Sequence, residues 1–159
     1  MKPKEILVFG ATGNIGRNLI RKLTKNNYKV VAVTRNIHQK GLQLKTQANP
    51  GYLELVELEN LNEEKMKDLF GNCSVCVNLI GILYEKKKGQ FNKIHSLLPD
   101  ILSKIAKEKK IDQFIHVSAL GVENASNSIY AKSKLDGEIN VCLLYTSDAA
   151  DEEDSVDLG

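Results

Sequence analysis

The sequence predicts an α/β fold: a doubly wound parallel sheet with helices on both faces, truncated after the fifth strand and the helix that follows. Three observations predict it. Strand-like apolar runs alternate with helical patterns, the order that a parallel sheet with crossover helices requires. Several runs are apolar almost throughout, such as Glu5-Ile-Leu-Val-Phe9 and Lys29-Val-Val-Ala-Val-Thr34, as for strands buried on both faces. The first run ends in Gly10-Ala-Thr-Gly13-Asn-Ile-Gly16, and an apolar helical pattern (Ile15, Leu19, Ile20, Leu23) follows at once.

Taken in order, strand Glu5–Phe9 leads through the glycines into helix Asn14–Asn26 and then strand Lys29–Thr34. Gly10 permits a tight turn, Gly13 leaves the backbone open to a pyrophosphate, and Gly16 lets the helix pack closely on the strand. The helix N-terminus adds free N–H groups and partial positive charge. With a strand before and a helix after, the motif reads as the phosphate site of a Rossmann dinucleotide-binding domain. The polar stretch Ile37–Pro50 is expected to hold a short helix and a loop, followed by strand Tyr52–Glu57, helix Glu63–Phe70 and strand Ser74–Ile80. Glu85-Lys-Lys-Lys-Gly89 is expected to be a solvated loop beside the crevice. Ile94, Leu97, Leu98, Ile101, Leu102, Ile105 and Ala106 form one stripe, so Phe91–Lys109 reads as a single helix kinked at Pro99. Strand Gln113–Ser118 and helix Ser128–Asn140 complete the series, with expected strand order 3-2-1-4-5.

The chain has 159 residues, room for one domain with a real core. A net charge of +2 is too small to argue for nucleic acid, and no apolar stretch approaches a membrane span. Met1-Lys-Pro-Lys4 runs straight into the first strand, which leaves no room for a signal or transit peptide and points to a bacterial-type cytoplasm or to a chain already processed. The three cysteines do not form a disulfide framework. Cys73 and Cys76, three apart on a strand, are expected on opposite faces, so neither redox nor metal chemistry is expected of them. His38, His95 and His116 lack ligand spacing, and no metal site is expected. Residues 1–140 are expected to form the dinucleotide-binding domain. Residues 141–159 turn abruptly acidic and resemble translated sequencing-adaptor text. They are expected to be non-native or disordered, and the chain to be the N-terminal part of a longer protein.

Cofactor choice is read after the second strand. An NAD site needs an acid there for the ribose 2′-hydroxyl, whereas an NADP site needs a cation for the 2′-phosphate. This chain has Thr34-Arg35-Asn36 and no acid, so NADP(H) is preferred over NAD(H), with Arg35 on the phosphate and Arg17 assisting. Tyr130 and Lys134 are four apart and share one helix face. A cation near a phenol favours the phenolate, and such a tyrosine can exchange the proton that accompanies hydride transfer.

Gly10-x-x-Gly13-x-x-Gly16, His116-Val-Ser118-Ala-Leu-Gly121 and Tyr130-x-x-x-Lys134 fall in the order of the extended or atypical short-chain dehydrogenases/reductases, which the chain resembles over about residues 4–140. Val77-Asn-Leu-Ile-Gly-Ile-Leu-Tyr84-Glu85, Phe91 with His95, and Tyr130-Ala-Lys-Ser-Lys-Leu-Asp-Gly-Glu138 are similar to the NADPH-binding accessory subunits of respiratory complex I and their bacterial homologues. The resemblance implies that Gly10, Thr12, Gly13, Asn14, Ile15 and Gly16 hold the pyrophosphate, with Arg35 on the 2′-phosphate and Glu59 near the adenine. It places Ile80 and Gly81 beside the nicotinamide ribose, and Tyr130 and Lys134 at the nicotinamide end. Catalytic members carry a Ser or Thr beside the tyrosine, often the second of a Ser-Ser pair. This chain has Ser118-Ala119, so either Ser118 supplies that hydroxyl or Ala119 stands in its place. The resemblance thus implies NADP(H) binding with weak or no turnover, in association with complex I or a quinone pathway. It implies a place in the cytoplasm or peripheral at the inner membrane, on the matrix side in a eukaryote. The alternative is a sugar-nucleotide epimerase, dehydratase or reductase using Tyr130 and Lys134; a third class is an NADP redox sensor without chemistry.

Removing residues 142–159 should leave the melting temperature unchanged, because the segment offers little apolar surface and many like charges. A fall of several degrees in a thermal unfolding scan would show that it packs.

Overall fold

The computed structural model describes residues 5–125 and 127–153, with side chains as far as residue 144. β1 (Glu5–Phe9) pairs on one side with β2 (Lys29–Thr34) and on the other with β4 (Cys73–Asn78). β3 (Leu53–Glu57) lies outside β2, and β5 (Gln113–His116) lies outside β4. All the pairings are parallel, and the order β3-β2-β1-β4-β5 is the one the sequence predicts.

Alternation along the central strands divides the core into two layers. Leu7, Phe9, Val31, Val33 and Cys76 face one side. There they meet Met66 of α3 (Glu63–Leu69) and Leu98, Leu102 and Ile105 of α4 (Leu98–Glu108). Ile6, Val8, Val30, Ala32 and Val77 face the other side, with Ile20 of α1 (Asn14–Lys25) and Leu44 of α2 (Leu42–Lys45). Each fully buried Leu, Ile or Phe contributes about 1.5–3 kcal/mol, so both faces are needed to hold the sheet.

Several elements differ from expectation for identifiable reasons. β4 ends at Asn78 rather than Ile80 because the Asn78 side chain takes over there, its Oδ1 accepting the Ile80 N–H at 3.2 Å. β5 correspondingly ends at His116. The predicted kinked helix is instead a π-helical turn, Asn92–Leu97, running into α4. Pro99 has no N–H to give the His95 carbonyl four residues back, and the turn widens there. The β1–β4 register shifts at Ser74, a bulge. It brings Cys73 to the same core layer as Cys76, correcting the expectation of opposite faces. Burial pushes the Cys73 thiol up to about 11 and the Cys76 thiol well above its ordinary range, so neither is a ready thiolate. α5 (Ile129–Glu153) runs beyond the expected end at Asn140, there being no glycine or proline between Gly137 and its end to stop it. Lys107 Nζ donates to the Leu144 carbonyl at 3.2 Å. The last residues of the expected tail, 154–159, lie outside the described residues.

α5 packs on α4 and on the π-helical turn. The closest approach is at Gly137, where a Cβ would collide with the His95 carbonyl oxygen and lie 3.5 Å from Pro99 Cγ. Gly137→Ala should therefore destabilise the fold by about 1–3 kcal/mol through overpacking against backbone that cannot swing away. Gly71→Ala, whose Cβ would lie 3.4 Å from its nearest neighbour, should cost far less. Urea unfolding of the two variants checks this contrast.

Candidate functional site

The turn after β1 sets the site. Gly10 adopts φ +78°, and Gly13 N–H donates to its carbonyl at 3.2 Å. Gly13 then caps α1, and no side chain caps the helix, so first-turn N–H groups are left for water or a ligand. A Cβ on Gly13 would meet only the Gly10 carbonyl at 3.4 Å; the turn is open on its outer side. Arg17 donates to Asn14 Oδ1 at 2.8 Å.

This turn opens on a cleft of about 340 Å³ at the carboxyl ends of the strands. At the amino ends of the strands, around Glu5, Lys29 and Gly51, the space is only about 80 Å³. Of the residues expected at the site, Gly10, Thr12, Gly13, Arg35, Glu59, Ile80 and Gly81 line the cleft. Asn14, Ile15 and Gly16 lie next to it at the start of α1. Lys40 also lines it, which no sequence signal indicated. It is brought there by a second π-helical turn, Ile37–Gly41, tied down by two bonds. Glu57 Oε2 accepts the Ile37 N–H at 2.7 Å, and Asn36 Oδ1 accepts the Gln39 N–H at 3.0 Å.

Polar side chains lie behind the Gly81–Ile82 wall of the cleft. Lys134 is buried, and its Nζ comes within 3.2 Å of a Cβ position on Gly81. Burial holds this ammonium below the ordinary lysine range, with Glu138 opposing. Tyr130 packs edge-on to the rings of Phe91 and His95, at 5.6 and 5.3 Å between centroids. Ser118 Oγ is buried without a hydrogen-bond partner.

Two histidines that the sequence scatters meet here. His95 is fully buried. Its Nε2 accepts the Ile82 N–H at 3.0 Å, which puts the ring proton on Nδ1, 2.9 Å from Ser133 Oγ. His116 lies opposite Asn78 in the β4–β5 register, 3.2 Å from Asn78 Nδ2 to its Nδ1, and its Nε2 is buried without a partner. Burial first, then the nearby Lys134 charge, lowers both histidines to about 4. A signal for His95 existed: with Leu98, Leu102 and Ile105 it is polar at helical spacing on the buried face.

A family model described as NAD(P)H-binding matches residues 10–152, from the glycine turn to the end of α5. The chain belongs to this NAD(P)H-binding family. The NAD(P)H-binding chain is 28% identical over 138 residues to the mouse (Mus musculus) mitochondrial NADH dehydrogenase [ubiquinone] 1 alpha subcomplex subunit 9, with 87% of this chain and 37% of that protein covered. It is 30% identical over 132 residues to the same-named protein of Arabidopsis thaliana, covering 82% and 33%. It thus spans about a third of the curated relatives it matches. The dTDP-glucose 4,6-dehydratase of Bacillus anthracis, solved in complex with NAD, superposes with a TM-score of 0.73 at 21% identity, covering 91% of this chain and 51% of that one. The NAD(P)H-binding chain therefore shares the fold of that dehydratase. The open Gly13 turn and uncapped α1 fit a dinucleotide pyrophosphate.

Both histidines are neutral in the fold, whereas an unfolded histidine titrates near 6.5. Between those values the unfolded chain takes up protons that the fold refuses. Their contribution is fully present above pH 6.5 and is lost as pH falls toward 4, by up to about 1.4 kcal/mol per pH unit for each histidine. Urea unfolding between pH 7 and 4.5 should show this slope, and it should shrink in His95→Gln/His116→Gln. Equal slopes in the two proteins would contradict the assignment.

Proposed function

We propose that this domain holds NADP(H) in preference to NAD(H), as the cofactor-binding part of a longer protein associated with complex I or a quinone-linked pathway, with weak or no turnover. The observation that carries the reading is the pair of cations, Arg35 and Lys40, on the cleft wall beyond β2, where an NAD site would carry an acid. Glu57, the nearest acid on β3, is engaged by the Ile37 N–H. The similarity to mitochondrial complex I subunits supports the partner and a location peripheral to the inner membrane. Among the described residues no helix is long and apolar enough to cross a membrane.

When bound, the dinucleotide would supply or accept a hydride. The α1 N-terminus and Thr12 would hold its pyrophosphate, Arg35 and Lys40 its 2′-phosphate, and Glu59 would sit near the adenine. Lys134, a buried donor beside Gly81, would take the ribose hydroxyls at the other end, and Tyr130 would hold the proton. Ser118 supports a second reading, a sugar-nucleotide epimerase, dehydratase or reductase. Its hydroxyl, buried without a hydrogen-bond partner just beyond β5, is the group that could serve a substrate oxygen.

Calorimetry should find NADPH binding about 10- to 100-fold more tightly than NADH, as expected for about 1.5–3 kcal/mol from charge-assisted phosphate bonds. Arg35→Asp should abolish or invert that preference; equal affinities in the unmutated protein would refute the NADP reading. Turnover of a sugar nucleotide at about 1 s⁻¹ or more, lost in Tyr130→Phe, would promote the second reading.

A further inference from the structure

His95 sits where three separate segments converge. Its ring is fixed from both faces of its surroundings: Phe91 stacks at 5.4 Å between centroids and an interplanar angle of 21°, and Tyr130 meets it edge-on at 86°. Its two nitrogens make opposite demands. Nε2 must be bare to accept from Ile82, a residue of the cleft wall, and Nδ1 must carry hydrogen to donate to Ser133. Ser133 Oγ in turn donates to the Tyr130 carbonyl at 2.7 Å. Gly81 completes the junction: a Cβ there would lie 3.2 Å from Lys134 Nζ and 3.8 Å from His95 Nε2. The carbonyl of the same histidine receives Gly137 of α5, so both its backbone and its side chain are engaged with that helix.

We propose that His95 is a positioning residue for the nicotinamide half of the dinucleotide: its imidazole ties the Gly81–Ile82 wall of the cleft to the Tyr130–Lys134 turn of α5. This rests on the cofactor reading above. The ring acts through Ile82, on the cleft wall beside Gly81, and through Ser133 of α5. Only a group that accepts at one point and donates at the other, in a fixed plane, satisfies both partners. Leucine would fill the space and leave the Ile82 N–H bare. Glutamine can present an oxygen near the Nε2 position. Asparagine can present an N–H near Nδ1 but does not reach Ile82.

The test uses the whole chain with two readouts. The first is amide exchange at Ile82 by NMR, without ligand. In His95→Leu it should accelerate at least about 5-fold, the loss of one hydrogen bond, while β1 amides stay protected. The second is calorimetry with NADPH and with 2′,5′-ADP, which lacks the nicotinamide half. His95→Leu should weaken NADPH about 5- to 20-fold and leave 2′,5′-ADP within about 2-fold. His95→Gln should recover both the Ile82 protection and NADPH affinity better than His95→Asn, a ranking that space-filling alone would not produce. Unchanged Ile82 exchange, equal losses for the two ligands, or Asn rescuing as well as Gln would each overturn the proposal. If His95→Leu does not fold, the Gln–Asn ranking decides. If the unmutated protein binds neither ligand, the cofactor reading fails, and the Ile82 exchange still decides whether His95 holds the wall.

Discussion

A Cβ on Gly16 would stand 2.5 Å from the Gly10 carbonyl oxygen and 2.6 Å from that of Ala11, and one on Gly10 would stand 2.8 Å from the Leu79 backbone. Three pieces of main chain thus meet without side chains between them: the first turn of α1, the bend after β1, and the chain leaving β4. Everything at the cleft follows from this contact. It brings the uncapped helix end beside the mouth of the sheet, and it makes Leu79–Gly81 the facing wall. Two glycines serve packing, and Gly13 alone leaves empty space.

Behind the Gly81–Ile82 wall the arrangement is governed by electrostatics among partly or fully buried groups. Lys134, His95 and His116 lie close enough to interact, and charging all three would set like charges against one another. Burial first, and then the Lys134 charge, favours the neutral form of both histidines, which are lowered to about 4. Beside them His116 Nε2 is buried without a hydrogen-bond partner. A cluster of that kind is costly to leave unsatisfied, which is common where a ligand completes it.

The strand order and glycine turn were legible because each depends on local pattern: apolar runs for strands, and glycines where backbone must meet backbone. Arg35 was legible for the same reason, sitting at a strand end whose position the pattern fixes. Lys40 was not, since it reaches the cleft only through a π-helical turn held by Glu57, twenty residues away from Ile37. The bulge at Ser74 was equally invisible, and it reversed the reading of the two cysteines. His95 and His116 came together through Asn78 and α5, contacts that no window of sequence contains.

The central place of β1 has a consequence for how the chain reaches this shape. Its partner β2 emerges soon after it, but its other partner, β4, follows only on the order of seventy residues later. With every pairing parallel, no hairpin can seed the sheet, and loop-closure entropy must be met before the strands reward it. A nascent chain lacking β4 would carry Leu7 and Phe9 on an open edge. Until β4 is made, that edge of β1 stays open to pairing with other chains, a hazard the finished sheet no longer carries.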